Sequence, residues 1–148
     1  MQQFLKNRLF SIIIFAFAVL GFATLRLYQE QIFNDPFIHF FKTNYHSNSY
    51  PEIAITPFYG SMILRYLLNT FLSLMVIYTL FKSKDILKFV LFLYAFLGLI
   101  LLFLLIWEIH FSEIKSTFFL FYTRRFLIQP LFLLLFIPAL YFQKKSKQ

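Results

Sequence analysis

Four stretches of this chain, residues 9–25, 66–81 (58–81 with its extension), 89–107 and 126–143, are free of charge between charged side chains at their ends, save for Arg65 within the extension. Each approaches the roughly 17–25 apolar residues that an α-helix needs to cross the hydrocarbon of a bilayer. The run 66–81 is short by itself, but 58–64 extends it, with Arg65 inside one end. Apolar residues fall on all sides of each run, the pattern of a helix surrounded by lipid or protein. The many Phe and Ile residues favour strands in water. In lipid a backbone must satisfy its own hydrogen bonds, and a single segment does so only as a helix. The expected fold is all-α: one polytopic bundle over 1–148, with four transmembrane helices and a short outer interfacial helix in the loop 26–57.

Composition closes off the soluble alternatives. The chain has 148 residues, 60% hydrophobic and 14% charged, with 24 Phe. Soluble domains run at about 45–50% apolar and about 25% charged, and a chain this short has too little interior to hide the excess. A formal charge of +8 in a soluble protein points to nucleic acid. Here the basic residues flank apolar runs, where they orient membrane helices. No basic, solvated domain is present, so no nucleic-acid partner is expected. The absence of Cys removes disulfides, thiolate metal sites and any cysteine nucleophile.

The same basic residues give an orientation. Lys6, Arg8, Lys82, Lys84, Lys88, Lys144, Lys145 and Lys147 fall on one side, and Arg26, Lys42, Arg65, Lys115, Arg124 and Arg125 on the other. The positive-inside rule then puts both termini in the cytoplasm, with 26–57 and 108–125 outside. All carboxylates except Asp85 share the outer side, which makes it the chemically mixed face. A cleaved signal peptide competes for the first run, with Gly21-Phe22-Ala23 as its cleavage site. Arg26 and Tyr28 read instead as an interfacial anchor.

Within the outer loop, Asp35-Pro36 has the form of an N-cap followed by proline at the first helical position. Phe37, Phe40 and Phe41 then share one helical face, with His39 and Lys42 nearer the polar side. This short helix either caps the mouth of the bundle or offers a docking surface to a partner. Asn48, Ser49, Pro51 and Pro57 mark irregular backbone beyond it.

Polar side chains recur at helical spacing where they are expensive. Arg65, Asn69 and Ser73 form one stripe at i, i+4, i+8. Arg125 and Gln129 form a second, and Pro130 frees a carbonyl one turn earlier, near Phe126. Pro138 is a further bend point. Two readings stay open. In one, Asn69 and Gln129 join helices, and the arginines pair with Glu108, Asp35 or lipid phosphates. In the other, Arg65, Arg124 and Arg125 clamp an anionic group, for which the planar guanidinium fork is suited. The stripes of Arg65 and Arg125 are expected to meet near the outer face, with Glu108 between them. His39, His46 and His110 lie on the outer side without ligand spacing, and Glu108-x-His110 alone is too few donors for a metal. No metal, cofactor or catalytic residue is expected.

The segments IFNDPFIHFFKTNY (32–45), RYLLNTFLSL (65–74) and YTRRFLIQPLFLLLFIPALYFQKK (122–145) resemble the exosortase F system-associated membrane protein family, small multipass proteins of Bacteroidetes-type bacteria. The likeness runs in order over nearly the whole chain and is most specific at the C-terminal segment. It implies a bacterial inner-membrane location and association with exosortase F, which acts on proteins bearing a C-terminal sorting signal. Exosortases carry a Cys-Arg-His arrangement, so this cysteine-free chain is not the enzyme itself. The resemblance therefore implies a non-catalytic accessory role, binding or stabilising the exosortase or handling its sorted substrates, with membrane lipids as further partners. The candidate binding residues are Arg26, Asp35, Arg65, Asn69, Glu108, Arg124, Arg125 and Gln129, with Phe37, Phe40 and Phe41 as the docking face. The alternative is a small membrane enzyme or carrier holding an anionic lipid or polymer intermediate in an arginine-lined recess. Oligomeric state stays open.

Overall fold

The chain turns back on itself at Lys82, which adopts the left-handed conformation (φ 51°) that ends one long helix before the next begins. Ser83 starts the following helix by accepting the Ile86 N–H at 3.4 Å. So tight a link makes the two helices antiparallel neighbours. They are α4 (Ile55–Phe81) and α5 (Lys84–His110) in a computed structural model that describes residues 2–33, 35–43, 52, 54–112 and 116–146. Before them come α1 (Gln2–Leu27), a single turn α2 (Gln29–Ile32) and α3 (Pro36–Thr43); after them come α6 (Thr117–Ile128) and α7 (Leu131–Ser146). The described residues hold no strand. The irregular backbone expected at Asn48, Ser49 and Pro51, and the side chains of His46, Glu113, Lys115 and Lys147, lie outside the described residues.

The chain is an all-α, membrane-embedded, multi-pass protein. α1, α4 and α5 are each long and apolar enough to cross a bilayer, and α6 with α7 makes a fourth passage if the bent pair is counted as one. α4 is the hub, packing against α1, α5, α6 and α7. Its buried face carries Phe58, Met62, Arg65, Tyr66, Asn69 and Ser73, so the polar stripe read from the sequence faces protein. Many other large apolar side chains of α1, α4, α5 and α7 point outward, as on lipid-facing helices.

Two expectations need correction. The fourth span is not one helix from 126 to 143. Ser116 caps a helix that starts at Thr117, its hydroxyl accepting the Phe119 N–H at 3.3 Å, and the chain breaks after Ile128 with a bend of 64° into α7. Much of the segment 108–125 is thus helical. Pro130 is the cause, since it has no N–H to donate and its ring excludes the preceding turn. Pro138, by contrast, sits inside α7, which continues to Ser146. Pro57 lies in the first turn of α4, where a missing N–H costs nothing.

Candidate functional site

At the Arg65 end of the bundle, one carboxylate organises four segments. Asp35 precedes α3, and its Oδ1 accepts the Phe37 N–H at 3.0 Å, which is the N-cap bond expected from Asp35-Pro36. Its other oxygen, Oδ2, accepts Arg65 Nη1 from α4 at 3.3 Å and Arg124 Nη2 from α6. The Asp35 side chain is 0% exposed and both arginine side chains are 4% exposed. Arg65 Nη2 also donates to the backbone carbonyl of Gln29 at 3.1 Å. Loop, α2, α4 and α6 are therefore tied through one ion triad.

Aromatic rings close around the charges. The Arg65 guanidinium lies 4.4 Å from the Phe33 ring centroid. Arg124 lies 5.0 Å and 5.3 Å from those of Phe37 and Phe41. A desolvated guanidinium on an aromatic face gains about 2 kcal/mol or more, which offsets part of the cost of burial. Phe37 also meets Phe58 of α4 at 5.3 Å and Phe41 meets Phe121 of α6 at 5.2 Å. Phe37 and Phe40 are buried and Phe41 is half-buried. The face of α3 open to both a cap and a docking role is turned inward, so it caps the bundle. Lys42 stays on the exposed side, paired with Glu30.

The two stripes meet only in part: Arg65, Asn69 and Gln129 line one cavity, whereas Arg125 is exposed. Arg124 takes its place beside Arg65, and Asp35, not Glu108, sits between the two arginines. The physical reason is the register of α6. Starting at Thr117, it buries Leu120, Thr123, Arg124 and Leu127 at i, i+3, i+4, i+7, which leaves Arg125 exposed. Arg125 Nε donates to Gln129 Oε1 at 3.1 Å. Glu108, also buried, accepts the Ser116 N–H at 2.6 Å and so holds the α5–α6 connection.

Beside the triad lies a cavity of about 280 Å³ at the α6–α7 break. Among its lining residues are Arg26, Gln29, Arg65, Asn69 and Gln129, four of which belong to the candidate set read from the sequence. Asn69 Nδ2 donates to the Ile128 carbonyl at 2.9 Å. That carbonyl lies at the break, on the last residue of α6. Arg26 is exposed at the rim. Gln29 and Phe33 are among the contributors that sequence reasoning missed; neither carries a spacing or motif that marks it. Among the described residues no three His, Cys, Asp or Glu side chains gather as a metal site. Comparison of the chain with protein-family models, curated proteins and solved structures finds no match in any of the three.

Proposed function

We propose that this chain is a non-catalytic accessory protein of an exosortase-type sorting system in the bacterial inner membrane, with both termini cytoplasmic. The observation that carries the reading is the state of α1. Only 6% of its spanning stretch is buried within the chain, against 44% for α4 and 22% for α5. It is seated by Ala18, which is fully buried, and by Gly21, where an added Cβ would come within 2.9 Å of Leu72. Most of its surface is therefore available for another membrane helix. The ion triad suits such a role, because it fastens Asp35 to α4 and α6 within the chain itself. The resemblance of 32–45, 65–74 and 122–145 names the exosortase as that partner.

The test uses the cysteine-free background. Leu20, 66% exposed on α1, and Phe92, 67% exposed on α5, are replaced singly by Cys and crosslinked in native membranes. Leu20→Cys is expected to trap the exosortase and Phe92→Cys is not. Equal trapping from both, or no exosortase on the tagged protein, overturns the reading. Orientation is checked in the same way with an impermeant maleimide. Glu52→Cys is expected to label in cells whose outer membrane is permeabilised, and Lys84→Cys only after lysis; the reverse pattern refutes the cytoplasmic termini. A carrier of an anionic lipid or polymer intermediate is the second reading, favoured by the cavity at Arg26, Arg65, Asn69 and Gln129.

A further inference from the structure

Counted as one passage, α6 and α7 place their break inside the span. Measured along α7, Pro130 stands about 20 Å from Lys144 at 1.5 Å per residue, within a hydrocarbon layer about 30 Å thick. Non-helical backbone at such depth is tolerated where it is buried in protein or lines a cavity. In membrane proteins of other classes, broken helices mark the places where charged or polar ligands are held. Here Ile128, Gln129 and Pro130 line the cavity directly.

The walls of the cavity match an amphiphile. Phe22 and Leu25 of α1 and Phe33 supply an apolar side, while Arg26, Gln29 and Gln129 supply donors. α1 packs against α4 and α2 but scarcely against α6 or α7, so the cleft between α1 and the break opens sideways. Charge is in surplus, since Arg65 and Arg124 share one carboxylate and Arg26 has no ion pair among the described residues. Arg65, which lines the cavity, is 4% exposed and its Nε has no hydrogen-bond partner. Because Arg125 holds the side-chain oxygen Oε1 of Gln129, the side-chain nitrogen Nε2 remains as a donor. The volume of about 280 Å³ falls just below the ~300–1,000 Å³ of pockets that enclose whole small molecules. It suits a headgroup whose hydrocarbon stays in the bilayer.

We propose that this cleft seats the phosphate of one anionic phospholipid, entered from the side, with Arg26 and Gln129 meeting the headgroup and Arg65 supplying the positive wall. The inference does not depend on which protein α1 contacts. The shared chemistry is a phosphate anion, and lipid and free phosphate are separated by experiment. The full chain, purified in an uncharged detergent, is titrated with dioctanoyl-phosphatidylglycerol, dioctanoyl-phosphatidylcholine and sodium phosphate, with native mass spectrometry as readout. One phosphatidylglycerol per chain is expected, bound at least about five-fold tighter than phosphatidylcholine. Arg26→Gln is expected to weaken it about five-fold, the effect of one basic residue on an anionic lipid. Arg26 is exposed, so this variant leaves the fold intact. Arg8→Gln makes the same charge change at the other end of α1 and is expected to leave binding within about two-fold. Equal binding of the two lipids, or equal loss in the two variants, overturns the site. Displacement of phosphatidylglycerol by an equal concentration of inorganic phosphate overturns the lipid as its occupant.

Discussion

Asp35→Ala is expected to lower the unfolding free energy of the detergent-solubilised protein by about 3–5 kcal/mol, the cost of breaking a buried ion pair from one side. Read as an N-cap alone, Asp35 contributes about 0.5–2 kcal/mol. The larger figure follows from its second oxygen. Removing the carboxylate leaves Arg65 and Arg124, both almost fully buried, facing one another with no anion between them. Asp35→Asn separates the two contributions. It can keep the bond from the Phe37 N–H, but it lacks the charge and adds an amide donor beside guanidinium donors, so it too is expected to fall well below the parent. A triple variant, Asp35→Leu with Arg65→Met and Arg124→Met, is expected to recover most of the loss, because replacing a whole buried ionic group by apolar side chains is often neutral or stabilising. Equilibrium unfolding by a denaturing detergent measures all three. A loss of less than about 1 kcal/mol in Asp35→Ala would show that the triad is not what fastens α3 to the bundle.

The difference between those two figures also marks what the sequence could and could not convey. Apolar runs and their basic flanks are one-dimensional signals, so α1, α4 and α5 are readable, with ends that extend a few residues past the apolar core. The Arg65–Asn69–Ser73 stripe is readable for the same reason, since α4 is continuous through it. The partner of Arg65 depends on which of two adjacent arginines faces inward, and that is fixed by where α6 begins. Ser116 as its cap and the spacing of Leu120, Thr123, Arg124 and Leu127 carry that information. They are outweighed in a reading that starts the span at the first uncharged residue after Arg125. The choice of Asp35 over Glu108 is a tertiary fact. Both are buried carboxylates, and only the path of the chain from α1 through α2 brings Asp35 against Arg65 of α4. The cavity is legible in part: Arg65, Asn69 and Gln129 are visible as costly polar groups, whereas Gln29 and Phe33 enter it through the fold of the loop.

Gly98→Ala is expected to destabilise the protein by about 1–3 kcal/mol, the usual cost of forcing volume into a packed interface. Alanine in a helix interior would otherwise gain about 1 kcal/mol over glycine, so the sign of the effect is diagnostic. A Cβ at Gly98 would lie 2.4 Å from Tyr66 Cε1 and 2.9 Å from Cζ. Tyr66 cannot easily swing aside, because its hydroxyl donates to the Tyr94 carbonyl at 2.6 Å and its ring is 8% exposed. Moving it would leave a hydroxyl unpaired in an apolar interface, at a cost of about 1–3 kcal/mol. Small residues let membrane helices approach closely, and Gly98 does this for α5 against α4. Two comparisons separate this cause from a general intolerance of change. Gly60 has nothing within 4 Å of an added Cβ, and Gly60→Ala is expected to be neutral or stabilising. In a Tyr66→Leu background the shorter side chain vacates the space over Gly98, so the penalty of Gly98→Ala is expected to shrink by about 1 kcal/mol or more, as for residues in direct contact. Strict additivity of the two substitutions would mean that the tyrosine ring does not set the distance between α4 and α5.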